Sequence, residues 1–223
     1  MENQTTTEQL ANNSLLKASN IIDKIVLALF CVGIYLKWAH IVGGGALIII
    51  VLSSFSFFYF LLSIIIVKTF KINSQNGLIN VATRAIGFGL AILINGVLFK
   101  IEFWNNGTMF LAIGLLLITV GSAMMSSVKE ESGFRPVIKL FTARIIIALV
   151  VGIMFYFTSS IALYRFMGPY GSDPHYLQLM KDCEQDRNQC DTLRKYQDFK
   201  RNEADSIIKA NRYGSMNNST ATK

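Results

Sequence analysis

Apolar residues in this chain gather into long runs divided by short polar stretches, and the run lengths predict the fold class. Runs at residues 21–38, 46–67, 78–99, 108–127 and 140–164 each come near the ~20 residues that a helix needs to cross hydrocarbon ~30 Å thick. The first is the shortest, its uninterrupted core being 25–36, and Lys24 and Lys37 at its ends can lay their methylenes along the helix. A single helix through 21–67 would be ~70 Å long, so Gly43, Gly44 and Gly45 mark a turn. Residues 68–77 form a polar connection, and 128–139, with Gly133 and Pro136, form a loop. The predicted fold is all-α, a polytopic integral membrane protein with five transmembrane helices. Two hairpins, at about 21–67 and 78–127, precede a fifth helix at about 140–164.

Polar sequence flanks this body. Residues 1–20 are rich in Asn, Gln, Thr and Glu, which predicts a flexible head with a short helix near 8–18. The tail, 165–223, opens on a turn-rich link at 167–171. Asp173 and Pro174 then read as the N-cap and first position of a helix. Helical sequence runs to about Tyr213 and stops at Gly214, and residues 216–223 are expected to fray. Tyr176, Met180, Cys183, Cys190, Leu193 and Tyr196 form a thin apolar stripe, which fits one long helix or a helical pair.

Composition agrees. The 223 residues are 52% hydrophobic and 16% charged, with mean hydropathy +0.43, where a soluble domain carries about 25% charge. The net charge of +7 divides into +5 on residues 1–164 and +2 on the tail. That distribution makes no basic stripe for nucleic acid, so the expected partner is the lipid bilayer. Basic residues set the orientation. Nine (Lys17, Lys24, Lys68, Lys71, Arg84, Lys129, Arg135, Lys139 and Arg144) flank one side, against Lys37 and Lys100 on the other. A cytoplasmic N-terminus and, after five spans, a periplasmic tail in a bacterial inner membrane are predicted. No small-x-small cleavage pattern follows the first run, so helix one is expected to stay as an uncleaved anchor.

Sliding the chain on itself by sixty-three positions pairs Gly33 with Gly96, Lys37 with Lys100 and Gly44 with Gly107, which predicts a parallel internal repeat. Leu98-Phe99-Lys100-Ile101, with Trp104 and Gly107, resembles the Phe-Lys-Ile-x-His-Trp-Pro-Gly turn of GldL-type membrane hairpins from the gliding-motility and type IX secretion motor of Bacteroidetes. In the first copy, Lys37, His40 and Gly43 fall where that motif has lysine, histidine and glycine. Phe103 and Asn105 replace its histidine and proline in the second copy, and Ile41 and Val42 its tryptophan and proline in the first. The resemblance covers roughly 25–66 and 88–127. It implies hairpin architecture and, for the family, an acidic residue in the helix after the turn that serves proton-driven rotation. Neither 46–67 nor 108–127 contains Asp or Glu, so the architecture is carried over and the motor activity is not.

Candidate chemistry is sparse. Lys37, Trp38, Lys100 and Trp104 read as interfacial anchors. Glu102, the one acid in the outer turns, does not face Lys100 across a helix. Asp23, Arg84 and Arg144 lie near the inner span ends, where they could pair and steer helix packing, and where a position at the membrane surface is cheaper than one at the bilayer centre. Gly87, Ala91, Asn95 and Gly96 read as helix-packing positions, with Asn95 making an interhelical hydrogen bond. Cys183 and Cys190 could form an intramolecular disulfide, an intermolecular one, or remain thiols; the first requires a turn through 184–189. In one helix His175, Cys183 and Cys190 would be too far apart for a shared metal. No nucleophile stands beside a base, so no catalytic, cofactor or metal residue is assigned. The expected function is non-enzymatic, a structural or interaction role in which the tail binds another copy or a periplasmic protein. A small-solute or ion transporter, or an accessory component of a gliding or secretion machinery, is the alternative.

Overall fold

The computed structural model describes residues 2–69, 77–104, 106–127, 135–168 and 170–220. The polar connection over 70–76, residues 128–134 of the next loop with Gly133, and 221–223 lie outside them. The described chain is helical, without a strand. It divides into two units, Met1–Leu163 and Tyr164–Lys223.

In the first unit α1 (Glu2–Trp38), α2 (Gly44–Thr69), α3 (Gly77–Ile101) and α4 (Gly107–Ser126) precede α5 (Arg135–Phe157). Four segments are long and apolar enough to cross a membrane: Lys17–Trp38, Gly44–Lys68, Gly77–Ile101 and Gly107–Ser126. The chain is thus an all-helical protein built for a multi-pass membrane body. The head and the fifth run differ in form from the sequence expectation, and the spans number four, or five with the bent pair as one. The head is not separate from the first span, because α1 begins at Glu2; no Gly or Pro interrupts it before Gly33, so the helix propagates outward from the span. The fifth run is broken. Phe141–Phe157 and α6 (Ser160–Met167) meet the length of a span only together, and they are bent by 94°. Ser159 explains the break, since its Oγ accepts from Ala162 N at 3.1 Å and so caps a new helix. Pro136, read as loop punctuation, instead lies in the first turn of α5, where its missing N–H costs nothing.

Helix α3 is the hub. It packs on α2, α4 and α5, and Ile86, Leu90, Leu93, Leu98 and Ile101 are buried along it. Close approach is needed on two sides. A Cβ on Gly87 would lie 2.2 Å from Ser63 Cβ of α2, and one on Gly96 would lie 2.7 Å from Leu111 N of α4. By contrast only 11% of the α1 span is buried within the body, against 56% for α3. With so little packing, the polar contacts at its two ends carry unusual weight in holding α1.

The second unit is a stapled helical pair, α7 (Pro174–Gln185) and α8 (Cys190–Thr220), joined through a 3₁₀ turn at Arg187–Gln189. The turn brings the Cys183 and Cys190 Cα atoms to 4.5 Å, with the sulfurs bonded. α8 runs past Gly214 to Thr220, so neither the predicted stop nor the fraying of 216–220 occurs. An interior glycine costs a helix only about 1 kcal/mol, and no proline follows it.

Candidate functional site

The two hairpin turns are built alike. At the end of α1, His40 N donates to Lys37 O (3.1 Å) and Ile41 N to Leu36 O (2.9 Å); at the end of α3, Phe103 N donates to Lys100 O (3.4 Å) and Trp104 N to Phe99 O (2.8 Å). Both are Schellman closures, which put the residue after the helix in the left-handed region. His40 and Phe103 hold φ values of 53° and 58°. Gly43 (φ 99°) and Asn106 (φ 70°) provide the second left-handed position of each turn.

These turns aim the lysines inward. Lys37 Nζ donates to Ile101 O, the last residue of α3, at 2.8 Å, and lies 2.8 Å from Glu102 Oε1. Both side chains are nearly buried, at 12% and 13% exposed. Buried Glu102 Oε1 accepts no directed hydrogen bond; the distance makes this an ion pair, held by charge rather than by alignment. The ammonium also lies 5.3 Å from the Phe103 ring centroid. Lys100, only 5% exposed, donates to Phe155 O and, at 3.1 Å, to Tyr156 O. Both carbonyls belong to the last turn of α5, where a helix leaves its carbonyls unpaired and partially negative. Each lysine therefore closes another helix, Lys37 that of α3 and Lys100 that of α5. The reading of both as anchors reaching outward to headgroups does not describe this geometry. The signal missed was Glu102, whose partner lies across the hairpins. Trp38 and Trp104 are half exposed, with Trp38 against Tyr35 at 6.2 Å and Trp104 against Phe99 at 5.1 Å.

At the opposite end, Arg144 of α5 reaches α1. Its Nε and Nη2 donate to Asp23 Oδ2 at 2.8 and 2.6 Å, and Nη2 also donates to Ser19 Oγ. Tyr59 of α2 donates to Asp23 Oδ1 at 3.2 Å, and its ring lies 5.8 Å from the guanidinium carbon. Arg144 is 7% exposed. Arg84 is exposed, whereas Asp23 and Arg144 pair with each other across the helices. Opposite charges let each lower the other's cost of leaving water.

Between the two polar ends, Asn95 Nδ2 donates to Ser56 Oγ (2.7 Å) and to Ala91 O (3.1 Å). Ser56 also donates to Ala91 O at 3.0 Å. Asn95, Ala91, Gly87 and Gly96 therefore all face neighbouring helices. A largely apolar cleft of about 240 Å³ lies among α1, α2, α3 and α5, with Asp23, Tyr59 and Arg144 at one end. Among the described residues no three His, Cys, Asp or Glu side chains are grouped to hold a metal.

In the tail, Asp173 caps α7. Its Oδ1 accepts from His175 N (3.0 Å) and Tyr176 N (3.2 Å), and its Oδ2 from the Tyr196 hydroxyl (2.8 Å). Tyr176 is buried against Tyr164 and Tyr170 at 5.0 and 5.4 Å. The hydrogen bond from Tyr196, foremost, holds the Asp173 carboxyl below the usual carboxylate range and raises the Tyr196 hydroxyl. A carboxyl depressed on folding stabilises fully above its unfolded pKa of ~3.9, and that stabilisation is lost as pH falls through the folded value. The tyrosine near-ultraviolet dichroism of the tail is therefore expected to hold steady from neutral pH to ~5 and to decline below ~4. Asp173→Asn removes this pH-dependent component.

Compared with known protein families, curated proteins and solved structures, the chain matches none of them.

Proposed function

We propose that this chain is a non-enzymatic protein of the bacterial inner membrane, whose body is a scaffold and whose tail is the interaction surface. The observation that carries the reading is where the body's inward-facing charged side chains and Asn95 go. Lys37, Lys100, Glu102, Asp23, Arg144 and Asn95 are engaged in joining its own helices. A transporter needs polar groups available to a solute at mid-membrane, and Asn95 is instead tied to Ser56. The matching hydrogen bonds of the two turns, sixty-three positions apart, support a duplicated hairpin of the kind the GldL-type turn resembles. A motor role lacks its carboxylate in α2 and α4.

The excess of basic residues at the Asp23 end favours a cytoplasmic N-terminus, and counting the bent α5–α6 pair as a fifth crossing puts the tail in the periplasm. An oxidising compartment suits the disulfide between Cys183 and Cys190. The tail then offers a stapled, charged helical pair to a second copy or to a periplasmic protein. Deleting residues 173–223 is expected to leave the body in the membrane while abolishing the chain's cross-linked partner species, self or foreign. An unchanged cross-linking pattern refutes the reading. So does saturable solute flux in liposomes that Asn95→Leu abolishes.

A further inference from the structure

The cleft among α1, α2, α3 and α5 is not accounted for by a scaffold role. Its walls are apolar, from Leu27 and Phe30 of α1, Leu93 and Val97 of α3 and Ile147 and Val151 of α5. Leu27 and Ile147 are also exposed, at 62% and 64%, so the cleft is flanked by the surfaces that face lipid. Its volume of about 240 Å³ exceeds the ~150 Å³ of an apolar cavity that takes up benzene. It is far too small for another helix, whose diameter is ~10 Å. A flexible alkyl chain is the occupant of that width which a membrane supplies.

One end of the cleft is polar in a specific way. Arg144 lines it, and while Nε and Nη2 are taken by Asp23 and Ser19, the buried Nη1 has no hydrogen-bond partner among the described residues. A buried guanidinium N–H without an acceptor costs free energy, and its planar fork matches phosphate oxygens. The apolar span of α1 begins at Lys17, six residues or about 9 Å before Asp23, so in hydrocarbon ~30 Å thick the polar end of the cleft lies closer to that headgroup boundary than to the opposite one. We propose that the cleft holds one acyl chain of a membrane phospholipid, with a phosphate oxygen of the same lipid accepting from Arg144 Nη1. Such a lipid would wedge between α1 and α5 and supply the packing that α1 otherwise lacks.

The test is photo-cross-linking of the full chain, reconstituted in phosphatidylethanolamine and phosphatidylglycerol vesicles, with a phospholipid carrying a diazirine in its acyl chain. Labelling is expected to concentrate on residues 26–30 and 147–151, about tenfold above Leu116, which is exposed on α4. Leu27→Trp, which fills the mouth of the cleft, should remove the enrichment, and Leu116→Trp should leave it intact. Arg144→Lys keeps the charge but loses the fork, and should lower the enrichment while an alkane probe lacking phosphate is unaffected. Even labelling of α1 to α5 in the unaltered protein would overturn the proposal and leave only bulk lipid contact. Labelling that survives Leu27→Trp would overturn it too, as would a peptide captured from a photoreactive residue at Leu27.

Discussion

Arg144→Ala is expected to lower the unfolding free energy of the body by about 3 kcal/mol, within the ~3–5 kcal/mol range for breaking a buried ion pair. The low end is chosen because Asp23 is 27% exposed and can be rehydrated once its partner is gone. Removing the guanidinium leaves the Asp23 carboxylate with only the Tyr59 hydroxyl, and it detaches α1 from α5 at that end. Because α1 has so little other burial, the loss should appear as a separate early transition reported from α1, measured by detergent titration. Replacing both partners with apolar residues, Asp23→Leu with Arg144→Met, should recover most of the loss, because no charge is then stranded. Arg84→Ala, on an exposed residue, should change stability by less than ~0.5 kcal/mol.

Lys100→Met is expected to cost about 2–3 kcal/mol, since a hydrogen bond to a charged group contributes ~1.5–3 kcal/mol and two carbonyls lose their donor. Relief from burying an ammonium offsets part of this. The Phe155 and Tyr156 carbonyls lie beside the break between α5 and α6. The damage should therefore concentrate there, as faster amide exchange over residues 154–159 than in the unaltered protein. Lys68→Met, at an exposed helix end, should show neither effect.

Run length and the glycines of the turns are local properties, and they made the spans and hairpins legible. The direction of the polar residues at span ends was not, because each depends on a partner distant in the chain. Lys37 closes α3 at Ile101, and Arg144 reaches back to Asp23 and Ser19. A lysine at a helix end has the same sequence signature whether it reaches out to lipid or across to a neighbouring helix. The break after Phe157 was hidden for another reason. Ser159 interrupts an apolar run without glycine or proline, and only its capping bond to Ala162 reveals a new helix. In the tail, by contrast, Asp173 before Pro174 is a local signal, and the predicted cap forms with that aspartate. The two cysteines were legible as a pair only conditionally, because their closure needed the turn at 187–189.

A scaffold with an interacting tail is tested most directly by where the protein touches others in living cells. A photoreactive phenylalanine analogue at Phe199, exposed on α8, can be compared with one at Phe157, exposed at the end of α5. The account predicts a discrete protein adduct from Phe199 that is lost when Cys183 and Cys190 are changed to serine, and only lipid adducts from Phe157. A discrete protein adduct from Phe157, with none from Phe199, would contradict it.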